Sequence, residues 1–404
     1  MNTDKRKTQA TIPAMVAIFG LVFTLYLFTF NGQFTSIDEL ALYARAESVV
    51  QQGNFETPQI EFATYHNQVG DSEPGYAIAA APLYWLARQV GRLNNIHVLM
   101  LLNPFLTATT AAVLYATAIQ LGYSRRAGLV AALTFGLATL AWPYARTFYR
   151  EPLVAFGWML ALYGLVRWRY GGKRPFAILA LVLIGLMVLV KATAVVGVFI
   201  FLAGLARNRD RKQLVRYTVA LLLLFFMALA LFQAVYWLRY GRIWGVGNVA
   251  SWTVVLGLRR IYGQLFSPGK GLLFYMPVIL LTIPGLWLLW RRHRAVTLAV
   301  SLPLLTMVVA YSTYGAWYGG QSWGARFLLP ALPLLLLTIA PLWDGAARWR
   351  LVIAGVIGFG VVWQLPVQVT NWWAAYVPLY ESGGVAENEA GLTAVSLSPP
   401  LMQW

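Results

Sequence analysis

The sequence predicts an all-α polytopic membrane protein with about eleven transmembrane helices, and its composition and apolar runs support this class. Hydrophobic residues make up 59% of the 404 residues and charged residues only 11%, which leaves too little polar surface for a soluble protein of this length. The apolar runs are long enough to cross a bilayer, which takes roughly 20 helical residues. They lack the alternation of a transmembrane barrel, so helices are expected.

Eleven segments are predicted to cross the membrane, with a range of ten to thirteen, because the shorter apolar segment 74–90 is interpreted as a re-entrant or surface helix. The predicted crossings are residues 12–30, 97–121, 126–143, 151–168, 175–190, 192–206, 216–238, 272–290, 295–314, 326–343 and 350–366. No cleavage site of small residues follows Phe30, so the first segment is expected to be retained. The predicted parts are a transmembrane module (1–366), its external acidic loop (31–75), a second external loop (239–271) and a short external tail (367–404).

The net charge of +17 is distributed unevenly over this topology. With the N-terminus in the cytoplasm, nineteen of the 31 Lys and Arg residues but only three of the 14 acidic residues lie inside, a balance of +16 against +1 outside. An excess of Lys and Arg in cytoplasmic loops is the usual orientation signal of a membrane protein. We therefore expect the cytoplasmic (inner) membrane as its location and no nucleic-acid partner.

Half of the acidic residues fall in the first external loop, between Asp38 and Glu73. Asp38 and Glu39 follow Ser36, a residue type that N-caps helices. Adjacent side chains on a helix diverge by about 100°, so one carboxylate can face a cleft while the other caps or orients. A carboxylate in a partly dehydrated cleft is suited to accept a hydroxyl proton. The structural alternative is that both acids only complement the helix dipole.

Two further charges lie at the predicted external ends of spans. Lys191 interrupts an apolar run, and an intramembrane charge indicates function unless it snorkels to the interface. Because methionine keeps the length and apolar packing of lysine, Lys191→Met is expected to leave stability unchanged and to weaken anion binding. Glu151 lies near Arg146, Tyr149 and Arg150, in a cluster that suits polar chemistry but that is also a normal helix start.

The external stretch 317–326 combines aromatic rings, glycines and Arg326. Rings such as Trp323 can stack on sugar faces, and arginine binds phosphate through two hydrogen bonds. An interfacial aromatic belt is the alternative. In the second external loop, the run Ser267 to Gly271 lacks the spacing of a P-loop and is interpreted as a turn. Cysteine is absent and the three histidines are dispersed, so no metal site is indicated.

Several short motifs in the first half of the chain resemble the GT-C polyprenyl-phosphate-dependent glycosyltransferases, which include protein O-mannosyltransferases and lipid A aminoarabinose transferases. The motifs are Asp38-Glu39 with Tyr43 and Ala44, Glu73-Pro74, Tyr144-Ala145-Arg146, Glu151-Pro152-Leu153 and Val190-Lys191-Ala192. The family has Asp where this chain has Glu151, and commonly Thr-Lys-Gly around Lys191.

The resemblance implies an inverting glycosyltransferase that moves a sugar from a polyprenyl-phosphate donor to a lipid, glycan or protein acceptor at the external membrane face. The expected catalytic residues are Asp38, Glu39 and Glu151. The expected substrate-binding residues are Glu73, Tyr43, Arg146, Lys191, Trp323 and Arg326. No cofactor is required, although a divalent cation is compatible with the acidic loop. The alternatives are a transporter or flippase of a lipid-linked sugar and a non-catalytic membrane subunit.

The predicted topology can be tested by cysteine labelling in this cysteine-free chain. Single cysteines at Gln51, Ser251 and Ser382 are expected to react with a membrane-impermeant maleimide in intact cells, because all three lie in segments predicted to be external. Labelling that appears only after lysis would contradict the orientation.

Overall fold

The computed structural model is mainly helical where it describes the chain. It describes residues 2–57, 73–92, 94–171, 174–205, 252–253, 255–320, 322–370 and 398–402, with single positions between 215 and 237. The helical class predicted from the sequence is therefore confirmed. The predicted span 216–238 is described only at single positions, and the loop residues 239–251 and the tail residues 371–397 lie outside the described residues.

The first half of the chain forms helices that follow the predicted segments closely. They are α1 (Asn2–Phe28), α2 (Ile37–Gln51), α3 (Gly75–Val90), α4 (Asn95–Met100), α5 (Leu102–Gln120), α6 (Arg125–Leu137), α7 (Ala141–Ala145), α8 (Glu151–Gly171), α9 (Arg174–Val190), the 3₁₀ helix Ala192–Gly197 and α10 (Val198–Leu205). One difference is that the predicted segment 126–143 is divided between α6 and α7. Pro143 has no N–H to donate, so it fits the first turn of a new helix better than the interior of a continuous one.

The second half contains more interruptions. Its helices are α11 (Leu258–Phe266), α12 (Leu272–Tyr275), the 3₁₀ helix Pro277–Leu281, α13 (Thr282–Ser312), the 3₁₀ helix Arg326–Ala331, α14 (Leu332–Leu336), α15 (Ile339–Gly345), the 3₁₀ helix Ala347–Trp349, α16 (Arg350–Val369) and α17 (Pro399–Met402). Helix α13 is broken at His293, whose φ of −139° is not helical, between the predicted segments 272–290 and 295–314. The predicted segment 326–343 is divided into three helical pieces, with Pro330 near the end of the first and Pro333 in the first turn of the second, where a missing N–H is tolerated.

Five helical stretches in the described part of the chain are long and apolar enough to cross a membrane. They are Thr11–Phe28, Asn95–Gln120, Pro277–Ser312, Arg326–Gly345 and Ala347–Val369. The shorter apolar helix Pro175–Val190 adds to them. The chain is thus a multi-pass membrane protein.

Helix α8 lies at the centre of the bundle and packs most extensively against α9 and α5. A short connection joins α8 to α9, so the two helices form a hairpin and the start of α8 meets the end of α9 at its open end. Glu151 is the first residue of α8, and Lys191 directly follows α9. The hairpin therefore places the two charged residues at the same end.

The start of α3 is held against the end of α9 by a close backbone contact at Gly75. A Cβ at this position would lie 2.6 Å from the carbonyl group of Leu189 and 2.7 Å from the amide nitrogen of Val190. Only a residue without a side chain allows this approach. The contact sets the position of Glu73, two residues earlier, beside the end of α9.

Gly75→Ala is expected to lower the free energy of unfolding by about 1–3 kcal/mol, because the added methyl group forces α3 away from α9. Thermal unfolding in detergent measures the change. Gly20→Ala in α1 is the matched control, since nothing lies within 4 Å of a Cβ there and alanine favours helix. Equal stability of the two variants would show that α3 does not depend on this contact.

Candidate active site

Three ion pairs lie where helices begin or end, at the open end of the α8–α9 hairpin. They join Lys191 to Glu151, Arg326 to Asp38 and Arg150 to Glu73. The residues come from five separate parts of the sequence, so the folded chain assembles a charged cluster at the edge of an apolar bundle.

The innermost pair is buried. The Lys191 ammonium donates a hydrogen bond to Oε1 of Glu151 at 2.6 Å, and the two side chains are 8% and 2% exposed. Oε2 of Glu151 is also buried and accepts no hydrogen bond from any residue that the structure describes. A buried charge is stable only when it is paired, so each residue of this pair depends on the other.

The outer pair faces solvent. Nη2 of Arg326 donates to Oδ2 of Asp38 at 2.7 Å, and the Asp38 side chain is 55% exposed whereas that of Arg326 is 11% exposed. Burial works to raise the pKa of Asp38, but the Arg326 guanidinium outweighs it and holds the pKa below its usual value. Asp38 is therefore ionised at neutral pH and accessible at the surface of the helical bundle.

One aromatic ring, Phe327, lies beside the cations of both pairs. The Lys191 ammonium is 4.2 Å and the Arg326 guanidinium 5.0 Å from its centroid. Arg326 also covers the ring of Tyr149 at 4.4 Å, and Lys191 lies 5.7 Å from the ring of Tyr311. Cation–π contacts hold both positive charges in place without neutralising them. The two cations are thereby held close together.

The third pair supports the other two. Glu73 binds Arg150 through Oε2, and its Oε1 accepts a hydrogen bond of 2.6 Å from the backbone N–H of Ala192. The chain leaves helical geometry at Lys191, with φ −156° and ψ 121°, so the N–H of Ala192 has lost its place in α9. Glu73 satisfies this N–H and fixes the break that directs Lys191 into the site.

Glu39 has a different place from Asp38, although the two are adjacent. The Ser36 hydroxyl accepts a hydrogen bond from the Glu39 N–H, and the Glu39 carboxylate accepts from both the N–H and the hydroxyl of Thr35. This reciprocal arrangement resembles a capping box. Burial raises the pKa of Glu39 to about 7. Of the two alternatives open from the sequence, Glu39 has the capping geometry and Asp38 faces the cluster.

Three of the expected binding residues lie away from the ion pairs. Arg146 donates to the carbonyl oxygen of Val367 at 2.7 Å, which directs it towards α16. The Trp323 ring is buried against Tyr275. Tyr43 packs against other aromatic rings, Phe34 and Tyr84. These contacts do not test substrate binding, so the binding role of Arg146, Trp323 and Tyr43 stays a prediction.

Two residues outside the expected site residues complete the cluster: Arg150, which the sequence indicated only as a neighbour of Glu151, and Asn103. Arg150 takes the place expected for Arg146, because it directly precedes α8. The buried Asn103 amide donates to the carbonyl oxygens of Thr147 and Tyr149, at 2.7 Å each, and so fixes the segment before Arg150. The available sequence signal was an amide side chain inside an apolar span.

Within the described ranges, no group of three or more His, Asp or Glu side chains is arranged to hold a metal ion. The acids of the cluster are each bonded to a cation instead. The described arrangement suits an anionic ligand better than a cation, because the guanidinium and ammonium groups converge on one ring.

The buried pair changes the stability expected for Lys191 variants. Lys191→Met leaves the Glu151 carboxylate buried without its cation, so the free energy of unfolding is expected to fall by about 3–5 kcal/mol, against the expectation from sequence alone. The double variant Glu151→Gln with Lys191→Met is expected to recover much of this loss. Thermal unfolding of the purified variants measures both effects. A single variant as stable as the wild type would mean that the pair does not form.

Comparison with known proteins identifies what this architecture resembles. A family model described as dolichyl-phosphate-mannose-protein mannosyltransferase matches residues 87–216. No curated protein matches the sequence at a significant level.

Solved structures match nearly the whole chain. ArnT from Cupriavidus metallidurans bound to undecaprenyl phosphate is similar with a TM-score of 0.57 and 12% identity over 97% of this chain and 75% of ArnT. Its apo form gives a TM-score of 0.58. The oligosaccharyltransferase AglB from Archaeoglobus fulgidus, in complex with an inhibitory peptide and a dolichol-phosphate, gives 0.52 and 12% identity over 96% of this chain and 56% of AglB. The resemblance found in the sequence is confirmed at the level of the fold: the chain shares the fold of the glycosyltransferases ArnT and AglB.

Proposed function

We propose that this protein is an inverting GT-C glycosyltransferase that moves a sugar from a polyprenyl-phosphate donor to an acceptor hydroxyl at the external face of the cytoplasmic membrane. The observation that carries the proposal is an exposed carboxylate, Asp38, beside two fixed cations, Arg326 and Lys191. Transfer from a lipid phosphate needs a proton acceptor and a positive site for the leaving phosphate.

The donor class is supported by the fold neighbours and by the charge of the site. Structures of ArnT and AglB carry undecaprenyl phosphate and dolichol-phosphate respectively. Arg326 and Lys191 offer N–H donors to a phosphate, and charge-assisted hydrogen bonds of this kind are the strong ones. A lipid phosphate approaching from the membrane competes with Asp38 for the Arg326 guanidinium and leaves the carboxylate free.

The reaction follows from these roles. The acceptor hydroxyl oxygen attacks the anomeric carbon while Asp38 takes the hydroxyl proton. The bond from the anomeric carbon to the phosphate oxygen breaks, and its electron pair leaves with the lipid phosphate. Arg326 and Lys191 stabilise the charge that develops on that oxygen. A direct displacement of this kind inverts the anomeric centre.

The remaining acids act as positioning residues in this proposal. Glu151 holds Lys191 in the interior, and Glu73 holds Arg150 and the break in the chain before Ala192. Glu39 caps the helix that presents Asp38. Because the cations themselves neutralise the leaving phosphate, the mechanism requires no divalent metal.

The external location of the site is part of the proposal. The eleven-span topology places the ends bearing Asp38, Glu73, Glu151, Lys191 and Arg326 on one side of the membrane, and the fold brings these same residues together. Residues that must meet are thus on one side in the orientation with the cytoplasmic N-terminus. In this proposal residues 1–366 form the transmembrane module and 367–404 an external tail.

Asp38→Asn tests the reaction, because asparagine keeps the shape but cannot accept the hydroxyl proton. Turnover of radiolabelled polyprenyl-phosphate sugars by the purified protein, with a membrane lipid extract supplying acceptors, is expected to fall by about 10²–10⁴. Thermal stability should change by no more than about 1 kcal/mol, since the lost ion pair is half exposed.

Glu56→Gln is the matched control, because Glu56 is an exposed acid of the same proposed external segment and is not one of the residues of the three ion pairs. It is expected to retain wild-type turnover. Transfer by Asp38→Asn at close to the wild-type rate would remove Asp38 as the base. Wild-type protein that turns over none of the donors but moves them across vesicles would favour a flippase.

A further inference from the structure

Lys270 is a buried cation outside the three ion pairs. It lies on the turn between α11 and α12 and is only 1% exposed. Its ammonium donates hydrogen bonds to the carbonyl oxygens of Gly320, at 2.8 Å, and Ser322. A buried ammonium group without acceptors is costly, so the hydrogen bonds from Lys270 to these carbonyl oxygens are costly to break.

Those partners belong to the glycine-rich loop that we define as residues 317–326, described except at position 321. Gly319, Gly320 and Gly324 have φ values of 73°, 68° and 61°, in the left-handed region that favours glycine. The loop ends at Arg326, the cation that binds Asp38. Glycine restricts the backbone least of all residues, so this loop needs contacts with other segments to hold one conformation.

The turn that carries Lys270 is itself well fixed. The Lys270 N–H donates to the Ser267 hydroxyl at 3.1 Å, and the Tyr275 hydroxyl donates to the carbonyl oxygen of Gly269 at 2.7 Å. The Ser398 hydroxyl donates to the carbonyl oxygen of Pro268 at 2.8 Å. Lys270 is therefore a cation on a rigid support.

A second contact holds the same loop near its end. The Tyr144 hydroxyl donates to the carbonyl oxygen of Trp323 at 2.8 Å, and a Cβ on Gly324 would lie 2.8 Å from the Tyr275 ring. Tyr144 and Lys270 thus bind three carbonyl groups just before Arg326. The loop reaches Arg326 with its backbone already anchored.

We propose that Lys270 is a positioning residue that holds the glycine-rich loop in the form that presents Arg326 to Asp38. If the proposed function is right, the same contacts also hold the Arg326 guanidinium where it can bind the donor phosphate. This part of the inference rests on the proposed function. Lys270 acts from behind the loop, because its ammonium binds the loop carbonyls in the interior. Its effect on donor binding must then pass through Arg326.

Hydrogen exchange measures the hold on the loop independently of any activity. Lys270→Met removes the ammonium and keeps the chain length, so peptides covering 317–326 are expected to exchange roughly tenfold faster or more. Tyr26→Phe is the control. It removes the buried hydrogen bond from the Tyr26 hydroxyl to the carbonyl oxygen of Gly136, and neither residue belongs to the loop. Loop exchange unchanged in Lys270→Met would overturn the proposal.

Gly320→Ala provides a second route if Lys270→Met fails to fold. A side chain at a φ of 68° strains the same loop, while nothing lies within 4 Å of the new methyl group. Faster exchange confined to 317–326, with weaker binding of undecaprenyl phosphate, is expected. The contrary outcome has three parts: Gly320→Ala speeds loop exchange, Gly320→Ala leaves binding unchanged, and Arg326→Gln weakens binding. That outcome would overturn the link between the loop and Arg326.

A double-mutant cycle then tests the route through Arg326, with undecaprenyl phosphate as the probe. Lys270→Met and Arg326→Gln are each expected to weaken binding by about ten- to hundred-fold. The double variant should bind no more weakly than Arg326→Gln alone. Additive losses would overturn the proposal in favour of a direct contact of Lys270 with phosphate.

The two proposals fail in different ways. If loop exchange rises in Lys270→Met while neither Lys270→Met nor Arg326→Gln changes the binding of undecaprenyl phosphate, the proposed donor site is wrong and the hold of Lys270 on the loop is supported. If Arg326→Gln weakens binding but loop exchange is unchanged in Lys270→Met, the donor site is supported and the role of Lys270 is wrong.

Discussion

The buried ion pair between Lys191 and Glu151 is the constraint on which the rest of the site depends. Two charges in an apolar bundle are tolerated only when they meet, so the end of α9 must lie against the start of α8. The hairpin between these helices makes that meeting geometrically simple. The break in the chain at Lys191 then leaves a backbone N–H that Glu73 satisfies, which brings α3 to the same place.

Exposure separates the roles of the charged groups. The inner pair is almost completely buried. If Lys191 left Glu151 for another partner, the Glu151 carboxylate would remain unpaired in the interior. The outer pair has an exposed carboxylate beside a cation that two aromatic rings hold in place. Asp38 can therefore give up Arg326 to an incoming anion at modest cost, because water solvates the released carboxylate. The exchangeable ion pair thus lies at the outer edge of the cluster and the fixed one at its inner edge.

The cations are fixed by contacts with neutral groups as much as by acids. Phe327, Tyr149 and the carbonyl groups bound by Lys270 orient positive charge without neutralising it. Because each of the three cations is paired with one acid, the site can bind an anion only when Asp38 gives up Arg326 to it. The proposed donor, with a single lipid phosphate, matches the freed Arg326 guanidinium in sign.

The sequence by itself determined the helical membrane class and singled out Asp38, Glu151, Lys191 and Arg326 as candidate site residues, because charges in or beside apolar runs are costly and stand out. Only the tertiary structure decided which charges meet. Arg146 and Arg150 are the same residue type and close together in the sequence, yet only Arg150 binds Glu73, because Asn103 fixes the segment that precedes it. Likewise Asp38 and Glu39 are neighbours, yet Glu39 bonds to Thr35 whereas Asp38 pairs with Arg326. Pairing depends on where distant segments pack, and no local pattern records that.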